Sequence, residues 1–418
     1  MELPQLTNPA NFWPTSGGMV MSSLKSIAPA HKVANIKYAV RDILSVAADA
    51  QAKGLEMLYL NVGDPNIFDY ETPSIIVEAV SQALRDNKNG YAPSDGIPEA
   101  LDAIRANSER AGINNIQDVF ISNGCSEGIE IALAALCNEG ENILTPSPGY
   151  PLYTALVSKL SLEMNPYFLD ESNGWQPDVE DMATRINDKT RAIVLINPNN
   201  PTGSVCTEET LRSIIALAKE HGLLVIADEI YGELTLDGAV HIPLASLDDE
   251  VPVLTFDGLS KAFLSPGLRV GWGVLSGRED LVKDYRGAVA QLCRARLSSN
   301  HPEQYAIAPC LNDKSHLPAL REKVERRRDI TVNMLNAIDG ITCVEPKGAF
   351  YAFPSLDVPA AEEQEFIASM IRATGVVVVH GGGFGQKPGT AHFRVVFLPP
   401  EDILIKAYTK IGEFVAQR

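Results

Sequence analysis

Ala192-Ile-Val-Leu-Ile-Asn-Pro-Asn-Asn-Pro-Thr-Gly203 and Leu223-Leu-Val-Ile-Ala-Asp-Glu-Ile-Tyr231 are apolar runs that each stop abruptly at polar residues. Successive apolar positions with no polar alternation describe a strand buried on both faces. The residues between the two runs have helical spacing. The pair therefore reads as strand, helix, strand, the repeating unit of a parallel sheet. The same alternation extends from about 75 to 310, with further strands expected at Val119-Phe-Ile-Ser122, Asn142-Ile-Leu-Thr145, Val253-Leu-Thr-Phe256 and Val270-Gly-Trp-Gly-Val274. The fold class is α/β: a large domain whose mostly parallel sheet is covered by helices.

Beyond 310 the pattern changes. A long charged helix near 318–338 precedes strand-like Ala349-Phe-Tyr-Ala-Phe353, Val376-Val-Val-Val379 and Phe393-Arg-Val-Val-Phe397, which describes a smaller α+β domain. Near the start, Tyr38 to Lys53 has helical spacing, and Met57-Leu-Tyr-Leu-Asn-Val62 reads as a strand ending in Gly63-Asp64-Pro65. The expected organisation is a flexible arm at 1–30, the N-terminal part of the small domain at 31–75, the large domain at 76–309 and the small C-terminal domain at 310–418.

The 418 residues carry a formal net charge of −18, which disfavours a nucleic-acid partner because phosphate contacts need clustered Lys and Arg. Arg326-Arg327-Arg328 is the only tight basic run, and it is expected on the solvated face of a helix. The six cysteines show no CxxC pair, and no two histidines have zinc spacing, so reduced thiols and no metal are expected. Met1-Glu2-Leu3-Pro4 lacks the basic start of a signal peptide, and no apolar run approaches the roughly 18 residues of a membrane span. A cytoplasmic protein with no membrane partner is expected.

Several residues bear chemistry. Lys261 sits in Ser260-Lys-Ala-Phe-Leu-Ser-Pro-Gly-Leu-Arg269, beside a hydroxyl and eight residues before an arginine. A lysine becomes a nucleophile when its environment lowers its pKa or a carbonyl compound traps it. Asp228 ends its apolar run at a strand's carboxyl end, where open α/β sheets place ligands. Buried there it needs a cationic partner, such as a protonated ring nitrogen, although a helix N-cap is an equal reading. Asn200 lies in a Pro- and Gly-fixed turn that holds one amide rigidly, and Tyr231 stands beside it as a hydroxyl donor or a core residue. Arg394, within His392-Phe-Arg-Val-Val-Phe397, wants an anion, either a substrate carboxylate or an internal partner. Asn123-Gly-Cys-Ser-Glu-Gly128 follows a strand and opens a helix. It suits an anion at a helix N-terminus, but equally the nucleophile elbow of a serine hydrolase, with Ser126 attacking and His380 or His392 as base. The glycine run His380-Gly-Gly-Gly-Phe-Gly385 leads to no helix, so it is read as a flexible flap rather than a dinucleotide loop.

In this order the motifs resemble the pyridoxal-phosphate aminotransferases of fold type I, class I/II, from about residue 35 to the C-terminus. The resemblance implies pyridoxal 5'-phosphate as cofactor, Lys261 as its Schiff-base lysine and proton shuttle, and Asp228 as partner of the ring nitrogen. Asn200 and Tyr231 would bond the ring oxygen, and Cys125, Ser126, Ser260 and Arg269 would hold the phosphate. Tyr150 would stack on the ring. Tyr91 would reach a neighbouring subunit's phosphate, which implies a homodimer. Gly63, Asn200 and Arg394 would take the substrate α-carboxylate. Tyr38-Ala-Val-Arg41, Arg294-Ala-Arg-Leu-Ser-Ser-Asn300 and the glycine run are most similar to the glutamate–pyruvate (alanine) aminotransferases, with Tyr38 and Arg41 closing the pocket. The expected reaction is L-alanine with 2-oxoglutarate; the alternatives are an aspartate or broad-specificity aminotransferase, or a β-lyase acting on cysteine conjugates. Aligned on Ser299-Asn300, Ala295 stands where aspartate aminotransferases carry the distal-carboxylate arginine, with Arg294 and Arg296 on either side.

Overall fold

A computed structural model of the protein describes residues 26–30, 32, 33, 36 and 39–418, without the side chains of 39–42. Tyr38 and the side chain of Arg41 therefore lie outside the described residues. One eight-stranded sheet dominates. Its strands run in the order Ile116–Asn123, Val270–Ser276, Val253–Gly258, Leu224–Asp228, Thr190–Ile196, Asn142–Ser147, Glu163–Asp170 and Gln176–Pro177. The central pairings are parallel; Val270–Ser276 is antiparallel to both its neighbours, and the two-residue edge strand is antiparallel to Glu163–Asp170.

Helix Glu208–His221 shows why the sequence builds such units. Thr207 caps its first turn through Thr210 N at 3.2 Å, Glu208 and Glu209 face the positive dipole end, and Gly222 ends it at φ +63°. The helix buries Leu211, Ile214, Ile215, Leu217 and Ala218 and returns the chain to Leu224–Asp228, every residue of which is buried. Asp228 is the last residue of that strand, paired with Ile196 and Phe256. Two strands of this sheet escaped the sequence reading, Glu163–Asp170 and Gln176–Pro177. Pro166 and the polar start of the first read as a breaker; proline is tolerated near a sheet edge because fewer ladder bonds are needed there.

The C-terminal third carries short strands. Tyr351–Ala352 and Val379–His380 flank Phe393–Val396, while Val376–Val377 pairs in parallel with Leu58–Tyr59. The single strand expected at Val376–Val379 is thus two, serving two different sheets.

Helix Leu317–Asn336 corrects one expectation. Arg327 and Arg328 are only 3% and 2% exposed. They share the helix face of Leu320, Val324, Thr331 and Leu335, which points inward. Arg327 pairs with Asp69 at 2.7 Å and donates to Tyr70 Oη at 3.1 Å. Arg328 pairs with Asp237 and Asp329, both at 2.7 Å, and donates to Pro346 O at 2.8 Å. Its guanidinium is the main reason the Asp237 carboxyl is lowered to about 2. Arg328→Ala should therefore cost roughly 2–3 kcal/mol in urea unfolding, below the usual cost of breaking a buried pair because Asp237 hydrates on its exposed side. Asp237 contributes above its ordinary value and loses that contribution as pH falls towards 2, so the deficit should shrink between about pH 4 and 2. A deficit under about 0.5 kcal/mol at pH 7 would mean that the pair is dispensable.

Candidate functional site

The carboxyl ends of the central strands, the turn after Thr190–Ile196 and the strand carrying Arg394 enclose a cavity of about 250 Å³. Its wall brings together Lys261, Asp228, Asn200, Tyr231, Arg394 and Gly63, and with them Cys125, Ser126, Tyr150, Ser260 and Arg269. Tyr91 is elsewhere, on the surface and 84% exposed.

Asp228 lies at the floor. Its Oδ2 accepts from Tyr153 Oη at 3.0 Å, while Oδ1 is buried without a well-formed hydrogen bond. Burial pushes the carboxyl up to about 6, opposed by the Tyr153 hydroxyl, the Ile230 N–H and the charge of Lys261. Lys261 Nζ reaches across the cavity to Gly63 O at 3.0 Å. The flanking acids Glu229 and Asp257 are also raised by burial, to about 8 and about 7.

Asn200 is placed by its turn. Asn199 Oδ1 accepts from Thr202 N and Oγ1 at 3.2 and 3.0 Å, and Gly203 adopts φ +70°. Asn200 Oδ1 then accepts from Arg394 Nη1 at 3.2 Å, and Arg394 Nη2 donates to Asn61 O at 2.6 Å. The rings of Tyr351 and Phe384 lie 4.7 and 4.6 Å from that guanidinium. Tyr231 Oη meets Tyr351 Oη at 3.0 Å, and burial followed by Tyr351 holds the Tyr231 hydroxyl well above the phenol range.

At the far end, helix Cys125–Leu136 points its N-terminus into the cavity, with the unsatisfied N–H groups and partial positive charge of every helix start. Close approach there depends on missing side chains. A Cβ on Gly124 would fall 2.5 Å from Arg269 Nη2, and one on Gly271 would fall 2.3 Å from Cys125 N. Arg269 itself is held at φ +56°, a conformation uncommon for a residue with a side chain. Cys125 Sγ donates to Asp257 O at 3.2 Å, and burial pushes its thiol well up.

The hydrolase reading does not assemble. His392 stacks on Phe353 at 4.9 Å and bonds Gln386 and Glu171, while His380 faces Glu363; neither lines the cavity that holds Ser126. The glycine run is pinned rather than loose. Gly382 N donates to Glu363 Oε1 at 2.8 Å, and Gly149 N to Phe384 O at 2.8 Å. Nor do the flanking arginines enter this chain's cavity. Arg294 bonds Ala290 O within its helix, and Arg296 bonds the carbonyls of Ser94 and Ile121. Two functional neighbours were missed, Tyr153 and Tyr351. The signal for Tyr153 was its position one helical turn after Tyr150; that for Tyr351 was an aromatic cluster which reads as core.

These residues fit pyridoxal phosphate. The cavity offers a lysine amine, an anion corner of helix N-terminus, hydroxyls and arginine, and a buried carboxyl oxygen without a well-formed hydrogen bond. A cationic ring nitrogen is the kind of group that oxygen requires. Burial of that carboxyl has a cost in the cofactor-free protein. The folded carboxyl keeps its proton to about pH 6, against an ordinary value of 3.8, so the folded state binds more protons and loses stability as pH rises through that window. Cofactor-free Asp228→Asn should therefore be more stable than wild type by about 1–3 kcal/mol at pH 8, with the gain vanishing below about pH 4. Glu229 and Asp257 are raised by burial and in part by the Asp228 charge, so both should relax downward in the variant and add to the gain at pH 8. Equal stabilities at pH 8 by urea titration would show that burial does not strain this carboxyl.

A family model described as aminotransferase class I and II matches residues 56–406. The chain is 36% identical over 401 residues to the alanine aminotransferase of Mycobacterium tuberculosis (strain ATCC 25618 / H37Rv), covering 94% of this chain and 93% of that protein. It is 35% identical over 402 residues to the glutamate-pyruvate aminotransferase AlaA of Escherichia coli (strain K12), covering 94% and 99%. The solved alanine aminotransferase from Pyrococcus furiosus matches with a TM-score of 0.90 at 36% identity, covering 94% of this chain and 100% of that one. A lysine, a strand-end aspartate and an anion corner in one cavity thus coincide with likeness along nearly the whole chain, and the protein belongs to the class I and II aminotransferases, enzymes that work with pyridoxal phosphate.

Proposed function

We propose that the chain catalyses L-alanine + 2-oxoglutarate = pyruvate + L-glutamate. The observation that carries this reading is Lys261 Nζ in one cavity with Asp228 and Arg394, in a chain similar over 94% of its length to an alanine aminotransferase. The cationic side chains lining that cavity among the described residues are Lys261, Arg269 and Arg394. Arg269 serves the anion corner and Arg394 the α-carboxylate. That set suits alanine, which has no second carboxylate, and leaves glutamate's distal carboxylate to Arg41, with Tyr38 closing over it.

When bound, pyridoxal phosphate supplies an electron-withdrawing ring that stabilises the carbanion left by the departing α-proton. Lys261 would carry the cofactor covalently and, once displaced by the amino acid, remove and return that proton. Asp228, steadied by Tyr153, would keep the ring nitrogen protonated, with Tyr150 against the ring face. Asn200 and Tyr231 would hold the ring oxygen; Cys125, Ser126, Ser260 and Arg269 would hold the phosphate. Gly63 and Asn200 would join Arg394 at the carboxylate. The exposed Tyr91 would complete the phosphate site of a second copy, making the working form a homodimer. The same reading groups 31–75 with 310–418 as a small domain beside 76–309, after an arm at 1–30. Among the described residues no helix is long and apolar enough to cross a membrane. Six free cysteines support a cytoplasmic setting.

The test is a half-reaction. Purified enzyme with bound cofactor, given excess L-alanine and no acceptor, should convert its yellow aldehyde form to the colourless amine form; L-glutamate should do the same and L-aspartate should not. Conversion by aspartate would overturn the specificity, and catalytic release of a thiol, pyruvate and ammonia from a cysteine S-conjugate without acceptor would make the chain a β-lyase. Lys261→Ala should keep its circular dichroism and lose at least about 10²–10⁴-fold in turnover, while Asp228→Ala should lose cofactor affinity and rate together. Wild-type transamination by Lys261→Ala would end the assignment.

A further inference from the structure

Tyr351 touches three of the residues given roles above, and the inference drawn from it rests on those roles. It lies on the short strand Tyr351–Ala352, is 2% exposed and lines the cavity. Its backbone is locked to the turn that sets Asn200. Lys347 N and Gly348 N both donate to Gly203 O at 2.9 Å, and a Cβ on Gly203 would fall 2.5 Å from Pro346 Cβ and 2.7 Å from Tyr351 O. Glycine at 203 is thus what lets these two loops meet.

Three contacts converge on the side chain. Its hydroxyl is 3.0 Å from that of Tyr231, and the two rings meet edge to face at 5.7 Å and 88°. Its ring lies 4.7 Å from the Arg394 guanidinium, within cation–π range. Its hydroxyl also presses on Gly63, where an added Cβ would stand 2.1 Å away; Gly63 O is the acceptor of Lys261 Nζ. One side chain therefore touches the residue proposed for the ring oxygen, the residue proposed for the carboxylate, and the backbone that receives the lysine.

Two hydroxyls at this distance share one hydrogen bond, and only one of them donates. Burial, then Tyr351, holds the Tyr231 hydroxyl well above the phenol range, so Tyr231 keeps its proton. If Tyr231 donated to Tyr351, its single proton would be spent away from the cavity. If Tyr351 donates, Tyr231 keeps its proton for the cavity. We propose that Tyr351 is a positioning residue with two parts: its hydroxyl donates to Tyr231, aiming the Tyr231 O–H into the cavity, and its ring seats Arg394 for the substrate carboxylate. The other titratable groups facing Tyr231 are Tyr150 and Asp228.

The two parts separate by substitution in the cofactor-loaded enzyme. Tyr351→Phe keeps the ring and removes the donor. Tyr231 then becomes a weaker donor to the ionised ring oxygen, so the pH midpoint of the bound cofactor's absorption should rise by about half a unit or more, less than in Tyr231→Phe. Its kcat should fall roughly 2–10-fold while KM for L-alanine stays within about twofold. Tyr351→Leu, which also removes the ring, should raise KM for L-alanine by about tenfold over Tyr351→Phe. An unmoved midpoint in Tyr351→Phe, with a clear rise in Tyr231→Phe, overturns the proposal and leaves the site assignment standing. Unmoved midpoints in both variants overturn the two together. Equal KM values in Tyr351→Phe and Tyr351→Leu remove the role of the ring.

Discussion

A carboxylate buried at the end of a central strand governs this architecture. Asp228 is 4% exposed, flanked by parallel neighbours, with one oxygen held by Tyr153 and the other without a good partner. Isolated charges are not buried at no cost; they are neutralised, paired, or kept waiting for a ligand. A sheet is well suited to hold such a group, because a strand cannot swing its last residue back to water without unpairing. Lys261, the helix start at Cys125 and the Asn200 turn stand around the cavity that this aspartate floors. A protein stores discomfort of this sort at the site where it is used.

The second constraint is close contact between backbones. Gly203 against Pro346 and the Tyr351 carbonyl, and Gly63 against the Tyr351 hydroxyl, are approaches that leave no room for a Cβ unless a neighbour shifts. They bring the C-terminal strands, with Arg394, up to the large sheet. The pocket is therefore assembled from segments far apart in the chain whose positions are mutually dictated. Arg394 illustrates this: its guanidinium reaches Asn200 on one side and Asn61 on the other, with rings from Tyr351 and Phe384 alongside.

Much of this was legible from residues alone. The apolar runs ending at Ile196 and Asp228 announced a parallel sheet, because burial on both faces removes polar alternation. Lys261, Asp228, Asn200, Tyr231 and Arg394 were each nameable for the chemistry they carry, and the cavity wall contains them all. What was not legible depended on tertiary context. Arg327 and Arg328 read as a wet charge run, since nothing local reveals that Asp69 and Asp237 come from distant loops to meet them. Ser126 was ambiguous between anion binding and nucleophilic attack until His380 and His392 proved to be engaged elsewhere. The glycine run looked loose because the carboxylate that pins it, Glu363, belongs to another element. Tyr153 and Tyr351 were invisible as functional residues because an aromatic in an apolar stretch is ordinarily core.

Cys125 has a practical consequence. Its thiol lies in the anion corner yet is spent on the Asp257 carbonyl and held far from ionisation by burial. Only the thiolate attacks electrophiles, so burial lowers this sulfur's reactivity towards alkylating reagents and peroxide. Four more cysteines are buried and Cys137, half-buried, is likewise raised, to about 12. Labelling of the four buried cysteines by a thiol reagent would therefore need the fold to open, and its rate becomes a gauge of local unfolding.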